Sequence, residues 1–431
     1  MKIFKLTNCL LLALIVVISA CGSEDDGEPV IGQLSGVVSD AITSNMLENA
    51  NVIVFNADDN SPVASTLTGP DGQFTFDLPP GNYFVKTARQ GYISVPAPGL
   101  TAVPFTVTAG ETTLNDVAML LSDETQTGWI SGKVISASAG VAGALVVAES
   151  GSGAYSAISD SEGNFNIFNV PAGEFVINGW KSGYNSEGTN VLVAVNQEST
   201  DATVSLTEGA TGNLSGQVRN IAAENKDVDV ALVHPVTRET IPGLIGETFN
   251  QSYVISNIPN GLYIARATFA NDARVMDPDR IFKFGEPYVE MSGSSVTIDF
   301  DITKSVQLAT PNNESVSTVP VEVTSGVPTF EWTAYSSTSD YVIEVTDAMT
   351  GTVVWGGFDT SGDLPVKNVV IPSEQLSAEF NFDNSASIEQ LEPGKIYRWR
   401  IYASKDDQNS PTGWTLISAS EDQHGLIKLM P

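Results

Sequence analysis

Three stretches of the chain open alike: "LSGVV" at Leu34, "ISGKV" at Ile130 and "LSGQV" at Leu214. Each reaches a second shared phrase some forty residues later: "LPPGNYFV" at Leu78, "VPAGEFVI" at Val170 and "IPNGLYIA" at Ile258. A repeat of this kind means one structural unit used several times, each with its own core. Between the phrases the first two copies carry "GPDGQFTF" and "DSEGNFNI", a glycine turn followed by alternating aromatics, which reads as a hairpin. A third echo, "ARQGYIS" and "WKSGYNS", follows in the same two copies. Apolar residues at every second position face a core, and Pro with Gly turns the chain between strands. Helical periodicity is nearly absent. The spacing gives β-sandwiches of roughly 80 to 100 residues, and 431 residues suit three or four such domains.

The pattern resembles the carboxypeptidase regulatory-like domain, a prealbumin-like sandwich. The matching residues are Gly36, Gly132 and Gly216 in the opening strand, the turns Asp71-Gly72 and Glu162-Gly163, and the Pro-x-Gly-x-aromatic stretches at Pro79, Pro171 and Pro259. Copy three departs from it, with "TFNQSYVI" in place of the turn glycine and "FANDA" in place of the Gly-Tyr echo. The resemblance implies an accessory domain without catalytic residues.

The remainder, 307–431, reads differently. "PTFEWTA" places Trp332 in an early strand, "DYVIEVTD" alternates, and "LEPGKIYRWRIYA" closes the set. That last phrase resembles the tyrosine-corner region of fibronectin type III domains at Leu391, Pro393, Gly394 and Tyr397. In such a strand Tyr397, Trp399 and Ile401 point inward. The expected fold is therefore all-β, an elongated string of tandem prealbumin-like and immunoglobulin-like sandwiches. Its expected parts are a leader (1–20), an acidic tether (21–30), repeats at 31–122, 128–208 and 212–303, and a final sandwich at 307–431. Joints as short as "SDETQTG" and "TEGATG" favour a rod.

The N-terminus locates the protein. Lys2 and Lys5 precede an apolar run from Cys9 to Ala20 that is about 18 Å long as a helix, short of the roughly 30 Å bilayer core. It reads as a secretory signal. The tetrapeptide Ile18-Ser19-Ala20-Cys21 then resembles the lipobox of bacterial lipoproteins, which implies acylation of the Cys21 thiol and stable anchoring by more than one chain. The acidic "SEDD" behind it is similar to surface-export signals of Bacteroidetes lipoproteins. The expectation is a lipid anchor in the outer membrane, facing the cell surface. With Cys9 removed and Cys21 acylated, the mature chain has no thiol for a disulfide, a metal or a nucleophile.

The charge limits the partners. Against 20 Lys and Arg stand 51 Asp and Glu, a net charge of −31, so phosphate-rich nucleic acid is repelled. His234 and His424 have no metal-ligand spacing around them. No G-x-S-x-G elbow appears, and carboxylate pairs are expected by chance among so many acids. No enzyme and no cofactor is expected. Structural calcium at Asp58 and Asp59, or at Asp160 and Glu162, is a weaker alternative to turn chemistry. Candidate binding residues are aromatics beside glycines: Trp180 and Tyr184, Trp355, and Trp414, whose flat faces could stack on a sugar. Arg280 and Lys283, in "RVMDPDRIFKFGEPY", form the one basic and aromatic stretch. The reading is a non-catalytic envelope protein that binds polysaccharide or peptide for adhesion or uptake, or alternatively a spacer that docks another outer-membrane protein.

Overall fold

A computed structural model describes residues 31–58, 60–97, 102–122, 125–151, 153–220, 228–248, 251–268, 274–278, 287–313, 319–348, 351–421 and 424–430. Among these residues it holds 38 β-strands, arranged as tandem β-sandwiches.

The opening strand of each repeat is the spine of one sheet: Gly32–Asp40, Thr127–Ser136 and Thr211–Asn220. On one side it pairs antiparallel with Gln73–Leu78, Asn164–Pro171 or Ser252–Pro259. On the other it takes strands from the end of the repeat in parallel, for example Val117–Met119, Glu198–Glu208 and Phe300–Lys304. The second sheet has the order Pro62–Leu67, Asn51–Asn56, Gly81–Ala88, Phe105–Val107 in the first sandwich, and the other two repeat it.

The repeated glycine of the opening strand has one cause in all three copies. The returning chain crosses beneath it, so that a Cβ on Gly36, Gly132 or Gly216 would lie 2.0, 1.9 or 1.8 Å from the carbonyl oxygen of Asn115, Ala202 or Ile298. The space on the other side is filled by the aromatic directly across the ladder, Phe74, Phe165 or Tyr253. The hairpin turn is likewise shared. Its left-handed residue is Gly72 (φ 67°), Gly163 (φ 87°) and, in the third copy, Gln251 (φ 65°). The carbonyl of each accepts from Val38, Val134 or Val218 at 2.7 to 2.8 Å. The third copy thus keeps the turn without the glycine, at a backbone cost of about 1 kcal/mol.

The fourth sandwich has a seven-stranded and a three-stranded sheet around Phe330, Trp355, Trp399 and Leu391. Tyr397, Trp399 and Ile401 are buried as expected. The Glu392 amide donates to the Tyr397 hydroxyl at 3.0 Å, and the Trp399 indole donates to the Pro311 carbonyl at 2.9 Å. Inside this unit Lys367 Nζ meets both carboxylate oxygens of Asp340 at 2.6 and 2.7 Å and the Ser404 hydroxyl at 3.0 Å.

The sandwiches also touch out of sequence. Lys428 Nζ in the fourth donates to the Leu121 carbonyl at the end of the first, 3.0 Å away, and Val319 packs on the first core. Lys86 of the first faces Glu239 of the third at 3.8 Å. The first sandwich is thus in contact with the third and the fourth as well as with its neighbour in the chain.

Candidate functional site: the joints between sandwiches

The central strands of the second sheets carry unbroken apolar runs: "VIVF" in Asn51–Asn56, "LVVA" in Leu145–Ser150 and "VALV" in Asp229–Val233, and every residue of these runs is buried. A strand turns alternate side chains to opposite faces, so only half of each run can serve its own core. In the first two sandwiches the other half is covered by the next sandwich in the chain. Ile53, Phe55 and Phe84 of the first cluster with Ile158 of the second, the two rings stacked at 5.1 Å. Leu145 and Val147 of the second belong to the core of the third, together with Ala154, Ile158 and Trp180. Each such side chain contributes about 1.5 to 3 kcal/mol when fully covered.

Polar pairing fixes the angle of each joint, and it uses the Gly-Tyr echo. In the first joint the "QGY" segment meets Asn169, which sits at φ 57° two residues before Pro171. Its Oδ1 accepts from the Gly91 amide, its Nδ2 donates to the Tyr92 carbonyl, and its own amide donates to Gln90 Oε1, all at 2.8 to 2.9 Å. Ser65 adds a hydroxyl to Asp160 at 2.8 Å. In the second joint the echo "SGY" meets Asn257, also at φ 57° and two residues before Pro259. There the Gly183 amide donates to the Asn257 carbonyl at 2.7 Å. The third copy lacks the echo, and its successor in the chain is a sandwich of another kind.

The second joint also holds a buried imidazole. His234, 1% exposed, ends the strand Asp229–Val233, and its Nδ1 accepts from the amides of Val236 and Thr237 at 3.4 and 3.3 Å. Nε2 therefore carries the proton, and it faces Glu149 Oε1 of the second sandwich at 3.4 Å. Trp180 stands edge-on to His234 at 5.1 Å and to Tyr263 at 5.4 Å. Burial pulls the imidazole pKa down to about 4, raises the Glu149 carboxyl and lowers the neighbouring Lys181, each by disfavouring the charged form.

The proposed sugar platforms lie elsewhere than on open surface. Trp355 is 1% and Trp414 8% exposed. The Trp355 indole donates to Asp383 at 2.9 Å and is flanked by Phe330, Phe380 and Phe382, while Trp414 stacks on Phe358. Neither keeps a free face for a sugar, because a glycine beside a Trp admits close packing as readily as an open loop. Trp180 is half-buried in the second joint, and Tyr184 is half-buried against the second core. Cys21, Asp59, Arg280 and Lys283 lie outside the described residues. Asp160 is occupied by its turn, accepting from the amides of Glu162 and Asn164. Sequence reasoning missed a hydroxyl bracket that precedes each hairpin turn. Thr68 and Ser159 donate to the carbonyls of Leu47 and Val141 and accept from the amides of Ala50 and Ala144, and Thr248 accepts from Val228. The only signal was a Thr or Ser at one repeat position.

Residues 33–120 and 129–207 match the model of the carboxypeptidase regulatory-like domain. Chitinase ChiA of Flavobacterium johnsoniae is 28% identical over 180 residues, 41% of this chain and 10% of that protein, so this chain spans a tenth of that relative's length. Among solved structures, the TIE protein of Bacillus anthracis is 16% identical at a TM-score of 0.19, covering 64% of this chain and 51% of that one. The shaft pilin SpaA of Lactobacillus rhamnosus GG is 14% identical at 0.19, covering 42% and 99%. BcpA, the major pilin subunit of Bacillus cereus, is 13% identical at 0.19, covering 64% and 100%. TM-scores this low carry no argument, and the assignment rests on the family match and the strand order. The first two sandwiches of this chain therefore match, in tandem, the carboxypeptidase regulatory-like domain.

Proposed function

We propose that this chain is a non-catalytic scaffold of the cell envelope, anchored by lipid on Cys21, exposed at the cell surface, and built to hold a fixed shape. The observation that carries this reading is the two-sided burial of the central strands of the second sheets, which in the first two sandwiches commits their outer apolar side chains to joints. The leader and the lipobox-like Ile18-Ser19-Ala20-Cys21 support the anchor. The buried Tyr397 and its bond from Glu392 support a fibronectin type III-like fourth sandwich. Arg280 and Lys283 remain the basic candidates for docking an envelope protein. Fatty-acid labelling and surface proteolysis of the parent beside Cys21→Ala test the reading. Labelled, protease-accessible parent and unlabelled, released variant are expected; an unlabelled parent removes the anchor.

A second reading, binding of a neutral polysaccharide, is favoured by the shared segment with a protein named as a chitinase. It is also favoured by two shallow open depressions on the second sandwich that meet at Thr200 and Ala202, one lined in part by Thr189, Asn190 and Gln197 and the other by Asn164 and Asn166. A glycan array probed with the mature chain separates the two, since a scaffold without a sugar site gives no signal above background.

A further inference from the structure

We propose that the joint between the second and third sandwiches is an acid-sensitive latch, in which His234 must stay neutral for the two to remain docked. The inference rests on the scaffold reading and adds a condition under which the shape is released.

The geometry sets the requirement. Nδ1 of His234 faces two backbone donors, the amides of Val236 and Thr237, so a proton placed there meets N–H groups and breaks both contacts. The gain on the other nitrogen is small, because Glu149 is 3.4 Å away and a third of its side chain meets solvent. The ring is otherwise enclosed by Trp180 and the core around Tyr263, where an unpaired charge is expensive. The remaining charged groups nearby are Arg238 and Glu239, bonded to His234 through main-chain atoms, Lys86 of the first sandwich facing Glu239, and Lys181 beside Trp180. Among the described residues none of these supplies a second carboxylate to the ring.

The direction of the pH effect is set by which state takes the proton more readily. Undocking takes Glu149 and Trp180 away from the ring and moves its pKa back toward the ordinary value of about 6.5; docked, burial pulls it down to about 4. Above pH 6.5 both states are neutral and the latch is closed. Between 6.5 and 4 the docked-to-open ratio falls about tenfold per pH unit. Burial raises the Glu149 carboxyl in the docked state, so the protonation of that group by itself favours docking and opposes the release driven by the ring.

The test uses the mature chain with Cys21→Ala and spin labels on Glu198→Cys and Glu290→Cys, exposed positions of the second and third sandwiches. Electron-electron distances are recorded from pH 7.5 to 4.5, with far-UV circular dichroism alongside. The expected result is one short distance at pH 7.5 and a longer population growing below pH 6, with the β signal unchanged. His234→Asn keeps an acceptor toward Val236 and Thr237 but cannot titrate, and is expected to stay closed throughout. If it misfolds, His234→Gln gives the same readout. An unchanged distance in the parent at pH 4.5, or opening of the Asn variant over the same range, overturns the proposal. Loss of lipid labelling or of surface exposure would instead remove the scaffold reading and leave this measurement intact.

Discussion

At the scale of single residues the repeat glycines are the sharpest constraint. Gly132 stands where a methyl group would overlap the Ala202 carbonyl at 1.9 Å, and the obstacle is backbone, so it cannot turn aside. Gly132→Ala is expected to destabilise the second sandwich by about 3 kcal/mol, read as a lowered midpoint in urea. Tyr263 is a milder case. Its buried hydroxyl donates to the Pro259 carbonyl at 2.9 Å, as Tyr83 does to Pro79, and Tyr263→Phe leaves that carbonyl unpaired at a cost of about 1 to 2 kcal/mol. The second copy has Phe175 at this place, so the bond refines the fold rather than defining it. The glycines were legible because three copies placed them at one position. The partner of each was not, since Asn115, Ala202 and Ile298 share no residue type and act through the backbone. The buried Trp355 shows the limit in the other direction: flanking glycines mark close approach, and the sequence does not say whether a neighbour or a ligand approaches.

At the scale of elements, alternation made the strands and the all-β class readable, whereas the joints were written in a signal of another kind. "LVVA" and "VALV" break alternation, and an unbroken apolar run marks a strand covered on both faces. The run tells that something covers the outer face and not what does, because the residues that cluster with Leu145 and Val147, such as Tyr263, lie far away in the chain. Leu145→Ala with Val147→Ala is expected to lower the stability of the second and third sandwiches together by about 3 to 5 kcal/mol, given roughly 2 kcal/mol or more per truncated core side chain. Denaturation followed at both sandwiches tests the coupling, and a drop confined to the second would count against it. Asn169→Ala removes two side-chain bonds to the "QGY" segment, and each is worth about 1 kcal/mol. Faster protease cleavage at residues 123–126 is expected, with the sandwiches on either side intact.

At the scale of the whole molecule the chain differs from a string of beads. Domains joined only by flexible linkers unfold one at a time, while domains sharing core side chains unfold together. The back-contact of Lys428 with Leu121, at 4% exposure of the lysine, ties the end of the fourth sandwich to the end of the first. The most direct test of this shared packing is scanning calorimetry of the mature chain at pH 7.5. The second and third sandwiches, residues 127–304, should melt in one transition of about 120 kcal/mol, from about 0.7 kcal/mol per residue, with calorimetric and van't Hoff enthalpies equal. Two separate transitions of about 60 kcal/mol each, unmoved by Leu145→Ala with Val147→Ala, would contradict it.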